Sequence, residues 1–269
     1  MSTATSELAD QIRRTVIEQS KRANVGHIGS SLSIADIVAA LFGDVLRIPA
    51  PDDPDRDRFI LSKGHAALAV YAALHGIGLI SDEELNSYCG DGTMLAAHPE
   101  PSLRGVDFAT GSLGHGLSLG TGAALAARLQ GSERRAFVLI SDAECNEGSL
   151  WEAVMFAAHR RLSNLVAVLD LNAQQALGYT EDVLDLHDMP ARWRAFGWDV
   201  HEVDGHDPEK IAATIAGLDG EAPHLLVADT TFGKGVSYME GKIEWHYLPM
   251  SDQDYERALG ELAPAGGLR

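Results

Sequence analysis

The run Phe137-Val138-Leu139-Ile140-Ser141-Asp142-Ala143-Glu144-Cys145-Asn146-Glu147-Gly148, followed by Leu165-Val166-Ala167-Val168-Leu169-Asp170-Leu171-Asn172, decides how this chain is read. One apolar run ends in Asp142, a helix-like segment follows at 148–161, and a second apolar run ends in Asn172. Strand, loop, helix, strand is the unit of a parallel sheet, and open α/β folds bind ligands at the carboxyl ends of their strands. Asp and Asn oxygens brought side by side there suit a hard divalent cation such as Mg²⁺, which keeps positions open for phosphate oxygens. Asp142 as a helix cap and Asn172 in a turn would explain either residue alone. Both at successive strand ends, with Glu144 and Glu147 nearby, give a metal-diphosphate site equal standing.

The pattern continues in both directions. Leu8, Ile12, Val16 and Ile17 predict a helix over 7–23, broken at Gly26-His27-Ile28-Gly29-Ser30-Ser31; Ser33 then caps a helix over 34–43. Pro49, Pro51 and Pro54 mark a surface loop, Arg58–Ser62 is a strand, and Gly64-His65 leads into an Ala-rich helix to His75. Ser81-Asp82-Glu83-Glu84 reads as a capping box. Residues 90–112 are irregular, a length that in a compact domain points to function or disorder. A small-residue helix follows at 114–130. Strands are expected at 137–142, 164–171, 198–203 and 224–230, and helices at 207–217 and 252–261. The fold class is α/β, a mainly parallel sheet with helices on both faces. A single domain over 1–250 is expected, with a C-terminal helix and flexible tail over 251–269.

Composition agrees. A chain of 269 residues, 45% hydrophobic and 22% charged, builds one large α/β domain. A net charge of −18 opposes nucleic acid and anionic membrane as partners. Cys89 and Cys145 lie far apart without C-x-x-C spacing, which fits a reducing compartment. The polar N-terminus and the lack of an uncharged run near the ~18–20 residues of a membrane helix make a cytoplasmic location the expectation.

Further residues carry chemistry. Gly111-Ser112-Leu113-Gly114-His115-Gly116 opens a helix, where phosphate oxygens can approach backbone N–H groups at the positive dipole end. Close helix packing is the other reading of these small residues, and the spacing misses the dinucleotide fingerprint. His27, His65, His98, His115 and His246 each sit in or beside a loop. Together they suggest a cluster that binds anionic or sugar-like groups and moves protons near neutral pH. Gly233-Lys234-Gly235 is either a phosphate contact or a turn.

The loops Gly26-His27-Ile28-Gly29, Ser62-Lys63-Gly64-His65-Ala66, His98-Pro99-Glu100, Ala109–Gly116, the 141–172 segment and Glu244-Trp245-His246 follow one another in the order seen in transketolases. From about residue 7 to 250 the chain resembles that family, and 141–172 resembles its thiamine diphosphate motif. The resemblance implies the diphosphate-binding domain of the thiamine diphosphate fold. It implies Mg²⁺ or Ca²⁺ held by Asp142, Asn172 and the carbonyl of Gln174. Cofactor contacts would come from His65, Gly111, Ser112, Leu113, Gly114, Asp142, Ala143, Glu144, Glu147, Asn172 and His246. His27, His65, His98 and His246 would serve catalysis, His27 and His98 by facing donor hydroxyls, and Glu147 would link paired sites across a subunit interface.

Two departures stand out. The family's Gly-Asp-Gly is Ser141-Asp142-Ala143 here, and its Gly-His-Pro-Gly is Gly-His-Ile-Gly. Transketolases also carry three domains, and this chain matches the first. The resemblance therefore implies a separate C-terminal subunit, with pyrimidine-binding and C-terminal domains, in an assembly of two copies of each. The implied reaction moves a two-carbon ketol unit from a ketose-like donor to an aldehyde acceptor. The alternatives are a carboligase using a 2-oxoacid donor and a non-catalytic, regulatory subunit that only binds the cofactor.

Overall fold

The computed structural model describes residues 4–262. Helix α1 (Ala4–Ala23) places Glu7 in its first turn and Lys21 and Arg22 in its last, charges that complement the helix dipole. It buries Leu8, Ile12 and Val16 as a stripe at four-residue spacing. Two short helices, α2 (Ile28–Ser33) and α3 (Ala35–Ala40), are wholly buried and run into a π-helical turn, Leu41–Val45. Strand β1 (Arg58–Leu61) precedes α4 (Ala67–Gly76) and the capped turn α5 (Asp82–Leu85). Then come α6 (Gly116–Gln130), β2 (Ala136–Ser141), α7 (Gly148–His159) and β3 (Leu165–Leu171). A small antiparallel hairpin, β4 (Gln174–Gln175) with β5 (Gly178–Tyr179), leads to α8 (Thr180–Leu184) and α9 (Met189–Ala195). The described chain closes with β6 (Asp199–Asp204), α10 (Pro208–Ala216), β7 (His224–Asp229) and α11 (Asp252–Glu261).

Five strands form one parallel sheet in the order β1-β2-β3-β7-β6. Alternate residues feed two separate cores. Phe137, Leu139, Val166, Val168 and Leu226 pack with α1, α2, α3 and α4. Val138, Ile140, Leu165, Ala167, Leu169 and Val227 pack with Ala124, Val154, Trp193 and Trp198 on the opposite face. Burial on both faces is why these strands read as unbroken apolar runs rather than as alternation. Because all five strands are parallel, the residues after Leu61, Ser141, Leu171 and Asp229 line up at one edge of the sheet.

The opposite edge is clamped by Asp57. Its buried carboxylate accepts bonds from the backbone N and guanidinium of both Arg47 and Arg135. Burial alone would raise the pKa of Asp57; the two guanidinium and two backbone bonds leave it below the usual carboxylate range.

All the expected strands and long helices are present within one to three residues. The segment 26–31 departs from expectation: it breaks only at Asn24–His27, and α2 already starts at Ile28. The expected helix 34–43 is divided, with its last turn wound as π to Val45. The helix expected from 114 begins at Gly116. The tail expected to be flexible over 263–269 lies outside the described residues. Among the described residues no helix is long and apolar enough to cross a membrane.

Candidate functional site

The centre of the carboxyl edge is a buried ion pair. Lys63, just beyond β1, donates from Nζ to Asp170 Oδ2 at 2.5 Å, and both side chains are almost fully enclosed. Asp170 Oδ1 accepts from Ser33 Oγ at 2.6 Å and from Thr230 Oγ1 at 2.5 Å. Its Oδ2 also accepts from Asn172 Nδ2 at 2.9 Å. One carboxylate thus ties β1, α2, β3 and the end of β7 together, and each of its oxygens has at least two donors.

This network fixes Asn172. Its Nδ2 is committed to Asp170 and Ser33, so the remaining amide atom is the acceptor Oδ1, which takes the N–H of Gln174 at 3.0 Å. Asp142, one strand away, accepts from Ala143 N at 2.8 Å and Ala173 N at 2.7 Å, one bond to each carboxylate oxygen. It is only 4% exposed. Burial, with the nearby charge of Asp170, pushes its pKa up to about 7. Lys63, the cation at hand, is already bonded to Asp170.

A second arm comes from Glu144. Its Oε1 accepts from Gly114 N at 2.7 Å and from Ser62 Oγ, while Ser62 Oγ accepts from Gly116 N at 2.8 Å. The loop ahead of α6 is thereby held on β1 and β2. Gly114 has φ +80°, the left-handed region that favours glycine, and a Cβ there would stand 3.2 Å from Glu147 Cγ and Ser149 Oγ. Burial first, against its hydrogen bonds, raises the Glu144 pKa to about 7, and its Oε2 is buried without a partner among the described residues.

The histidines form the opposite wall. His27 and His65 rings lie 5.0 Å apart, and His246 stacks on Phe232 at 4.4 Å. His27 is in the left-handed region at φ +59°. His98 Nε2 is 2.9 Å from Ser112 Oγ, and His115 Nδ1 accepts the Gly111 N–H at 2.9 Å. Burial, then the charge of Lys63 and the neighbouring imidazoles, pushes His65 down to about 2; the same causes take His246 to about 4. His27 is lowered by burial and by His98. His27, His65 and His246 are therefore neutral near pH 7.

Between these walls lies a cavity of about 150 Å³ lined by His27, His65, Leu113, Ala143, Asn172 and His246, with Ser112, Lys63 and Gln174 also on its surface. Of the residues expected at the site, His98 and Gly111 stand just behind, bonded to Ser112 and His115. Asp142 and Glu144 are buried and do not line it; Asp142 borders a separate cavity with Asn146, Leu171 and Gln175. Glu147 is exposed beside Gly114. Gly233-Lys234-Gly235 lies elsewhere, on a larger cavity of about 520 Å³ with Arg13, Asp36 and His206. Sequence reasoning gave no role to Lys63, Asp170, Ser62 or Thr230, and it made Ser33 a helix cap, whereas Ile34 stands at the cap of α3 and the Ser33 hydroxyl donates to Asp170. The signal for Asp170 was present, since a carboxylate inside an apolar strand requires a partner.

A diphosphate with a hard cation fits these residues. Asp142 is an enclosed carboxylate with only backbone donors, next to a second carboxylate. Gln174 Oε1 and His246 Nε2 are buried polar atoms without partners among the described residues. The donor set is all oxygen, the preference of Mg²⁺ and Ca²⁺.

Comparison with known proteins gives the same direction. Residues 4–262 match the family described as transketolase, thiamine diphosphate binding domain. The chain is 41% identical over 268 residues to one subunit of the apulose-4-phosphate transketolase of Phocaeicola vulgatus, covering 98% of this chain and 95% of that one. It is 38% identical to a 6-deoxy-6-sulfo-D-fructose transketolase subunit of a Clostridium species, covering 96% of each. The crystal structure of transketolase from Campylobacter jejuni superposes with a TM-score of 0.89 at 30% identity, over 97% of this chain. The chain spans 43% of the length of that solved enzyme.

Proposed function

This chain belongs to the transketolase family, in its thiamine diphosphate-binding domain, and from that premise we propose that it is the cofactor-holding subunit of a two-subunit transketolase. The reaction is transfer of a two-carbon ketol unit from a ketose-like donor to an aldehyde acceptor. The carrying observation is one cavity that gathers Asn172, Ser112 and Leu113 of the loop before α6 and three neutral histidines, with Asp142 one strand away accepting the Ala173 N–H. Two relatives of matching length are themselves described as transketolase subunits, which supports a separate C-terminal partner and, by the family's pattern, two copies of each. Their names carry a phosphorylated and a sulfonated sugar, so we extend the donor class to ketoses with an acidic tail. The unpaired Cys89 and Cys145 support a cytoplasmic setting.

Thiamine diphosphate, when bound, supplies the electron sink for breaking and remaking the carbon–carbon bond. Asp142, Asn172 Oδ1 and the Gln174 carbonyl would hold Mg²⁺ (or Ca²⁺) against the diphosphate. The neutral imidazoles of His65 and His246 can donate to anionic oxygens and accept from hydroxyls without adding fixed charge. His27 and His98 would orient donor hydroxyls and move protons. Leu113 and Ala143 keep water from the cavity. Ala143 opens a 3₁₀ turn and has no positive φ, so the methyl at this position costs no backbone strain. Glu144 holds the Gly114 loop in place, and Glu147, exposed beside that loop, would face the paired site.

The deciding experiment measures ketol transfer from hydroxypyruvate by this chain alone and mixed with its C-terminal partner, with Mg²⁺ and thiamine diphosphate. Activity only in the mixture is expected; activity of the chain alone would overturn the shared site. Ala143 favours one second reading, a binding subunit without catalysis. Bound cofactor with no turnover in the mixture, for ketose and 2-oxoacid donors alike, would establish it. Asp142→Ala is expected to abolish metal-dependent cofactor binding, measured by calorimetry, and unchanged affinity would remove Asp142 from the site.

A further inference from the structure

At the amino end of the sheet, Asp199 and His201 on β6 and His224 on β7 form a cluster that the reaction does not use. Residues i and i+2 of a strand share a face, so Asp199 and His201 point the same way. The parallel register sets His224 beside Asp199. Val203 on β6, with Leu226 and Ala228 on β7, belongs to the α1-side core, which places the cluster on that face. His201 Nε2 lies 2.8 Å and His224 Nδ1 3.3 Å from the same Asp199 Oδ2. All three atoms fit within 4.8 Å of one another.

The spacing and chemistry select a kind of ion. Ligands about 2.0–2.1 Å from a tetrahedral Zn²⁺ stand roughly 3.3 Å apart, close to these separations. Two imidazoles and one carboxylate suit Zn²⁺, whereas Mg²⁺ and Ca²⁺ prefer the all-oxygen set at the other edge. His224 is buried, while Asp199 and His201 are partly open to solvent, which leaves an entry path and a fourth position for water. Asp219, in the loop before β7, adds negative charge near His224. Among the described residues β6 is an edge strand with β7 as its sole neighbour in the sheet, so a ligand on each strand would staple it.

We propose that Asp199, His201 and His224 form a Zn²⁺ site that pins β6 to β7. The strands are six residues long, so this site lies about 20 Å from the carboxyl-edge cavity.

The test uses the full chain without a polyhistidine tag, titrated with Co²⁺ as a visible stand-in for Zn²⁺. One equivalent with strong tetrahedral absorption is expected, displaced by Zn²⁺ and unaffected by excess Mg²⁺. His201→Gln and Asp199→Asn, both at partly exposed positions, should weaken binding by at least the about 10–100-fold that even outer partners of a metal are worth. Zn²⁺ should raise the thermal midpoint of the unsubstituted chain and leave that of both variants unmoved. Equal affinity in the unsubstituted chain and both variants would overturn the site. So would absorption that survives in both variants and disappears in His65→Gln, because the ion would then sit among the carboxyl-edge histidines.

Discussion

Lys63 and Asp170 form an ion pair that few single residues could replace. Both are enclosed, and removing either leaves a buried charge alone, which costs about 3–5 kcal/mol. Lys63→Met is expected to lose that much in urea unfolding, and Lys63→Met with Asp170→Leu to recover part of it. Equal losses in the single and double variants would show that the pair is not the source. His65 makes a different prediction. Burial, with Lys63 and the other imidazoles, holds its folded pKa near 2, against 6.5 in the unfolded chain. Below about pH 6.5 the unfolded chain takes up this proton first. The contribution of His65 to stability is therefore whole above pH 6.5 and is lost as pH falls. His65→Gln should gain on the unsubstituted protein by at most about 1.4 kcal/mol per pH unit below 6.5. Unfolding curves at pH 7.5 and 5.5 give that double difference, in which the opposing titrations of Asp142 and Glu144 cancel. No change in the difference would mean that His65 is solvated in the folded state.

Between elements, the Asp57 clamp joins the segment before β1 to the start of β2. Asp57→Ala is expected to cost about 3 kcal/mol, the low end for a buried charge pair because both arginines are partly solvated. A loss below about 0.5 kcal/mol would make the clamp ornamental. The elements themselves were legible wherever burial was two-sided or amphipathic: β2 and β3 are continuous apolar runs, and α1 carries a stripe at four-residue spacing. Helix α2 was not, because Ile28–Ser33 is short, small and buried all round, so no periodicity marks it. Helix α9 was missed although its signals were present, with Asp188 accepting from Ala191 N and Pro190 in the first turn. At the carboxyl edge, Asp142 and Asn172 could be placed from strand ends alone. Lys63 could not, since a lysine beside glycine and histidine looks like any solvated loop residue until its carboxylate is located across the sheet.

On the molecule as a whole, the outer side of α7 leaves Met155 and Phe156 exposed at 49% and 44%, and Leu177, Tyr179 and Leu184 stand out near the hairpin. Open apolar side chains of this kind are the expected seat of a partner chain. Phe156→Glu should leave the unfolding midpoint unchanged and reduce activity of the mixture at least tenfold at micromolar concentration; full activity would take α7 out of the interface. The late segment carries a further consequence. His246 reaches Ser30 Oγ across 216 positions, and Gly26 lies so close to Tyr247 that a Cβ would stand 2.3 Å from its carbonyl oxygen. During synthesis the whole sheet is available once Asp229 has left the ribosome, yet the wall bearing His246 is not. A nascent chain can thus hold its sheet before it can hold a ligand.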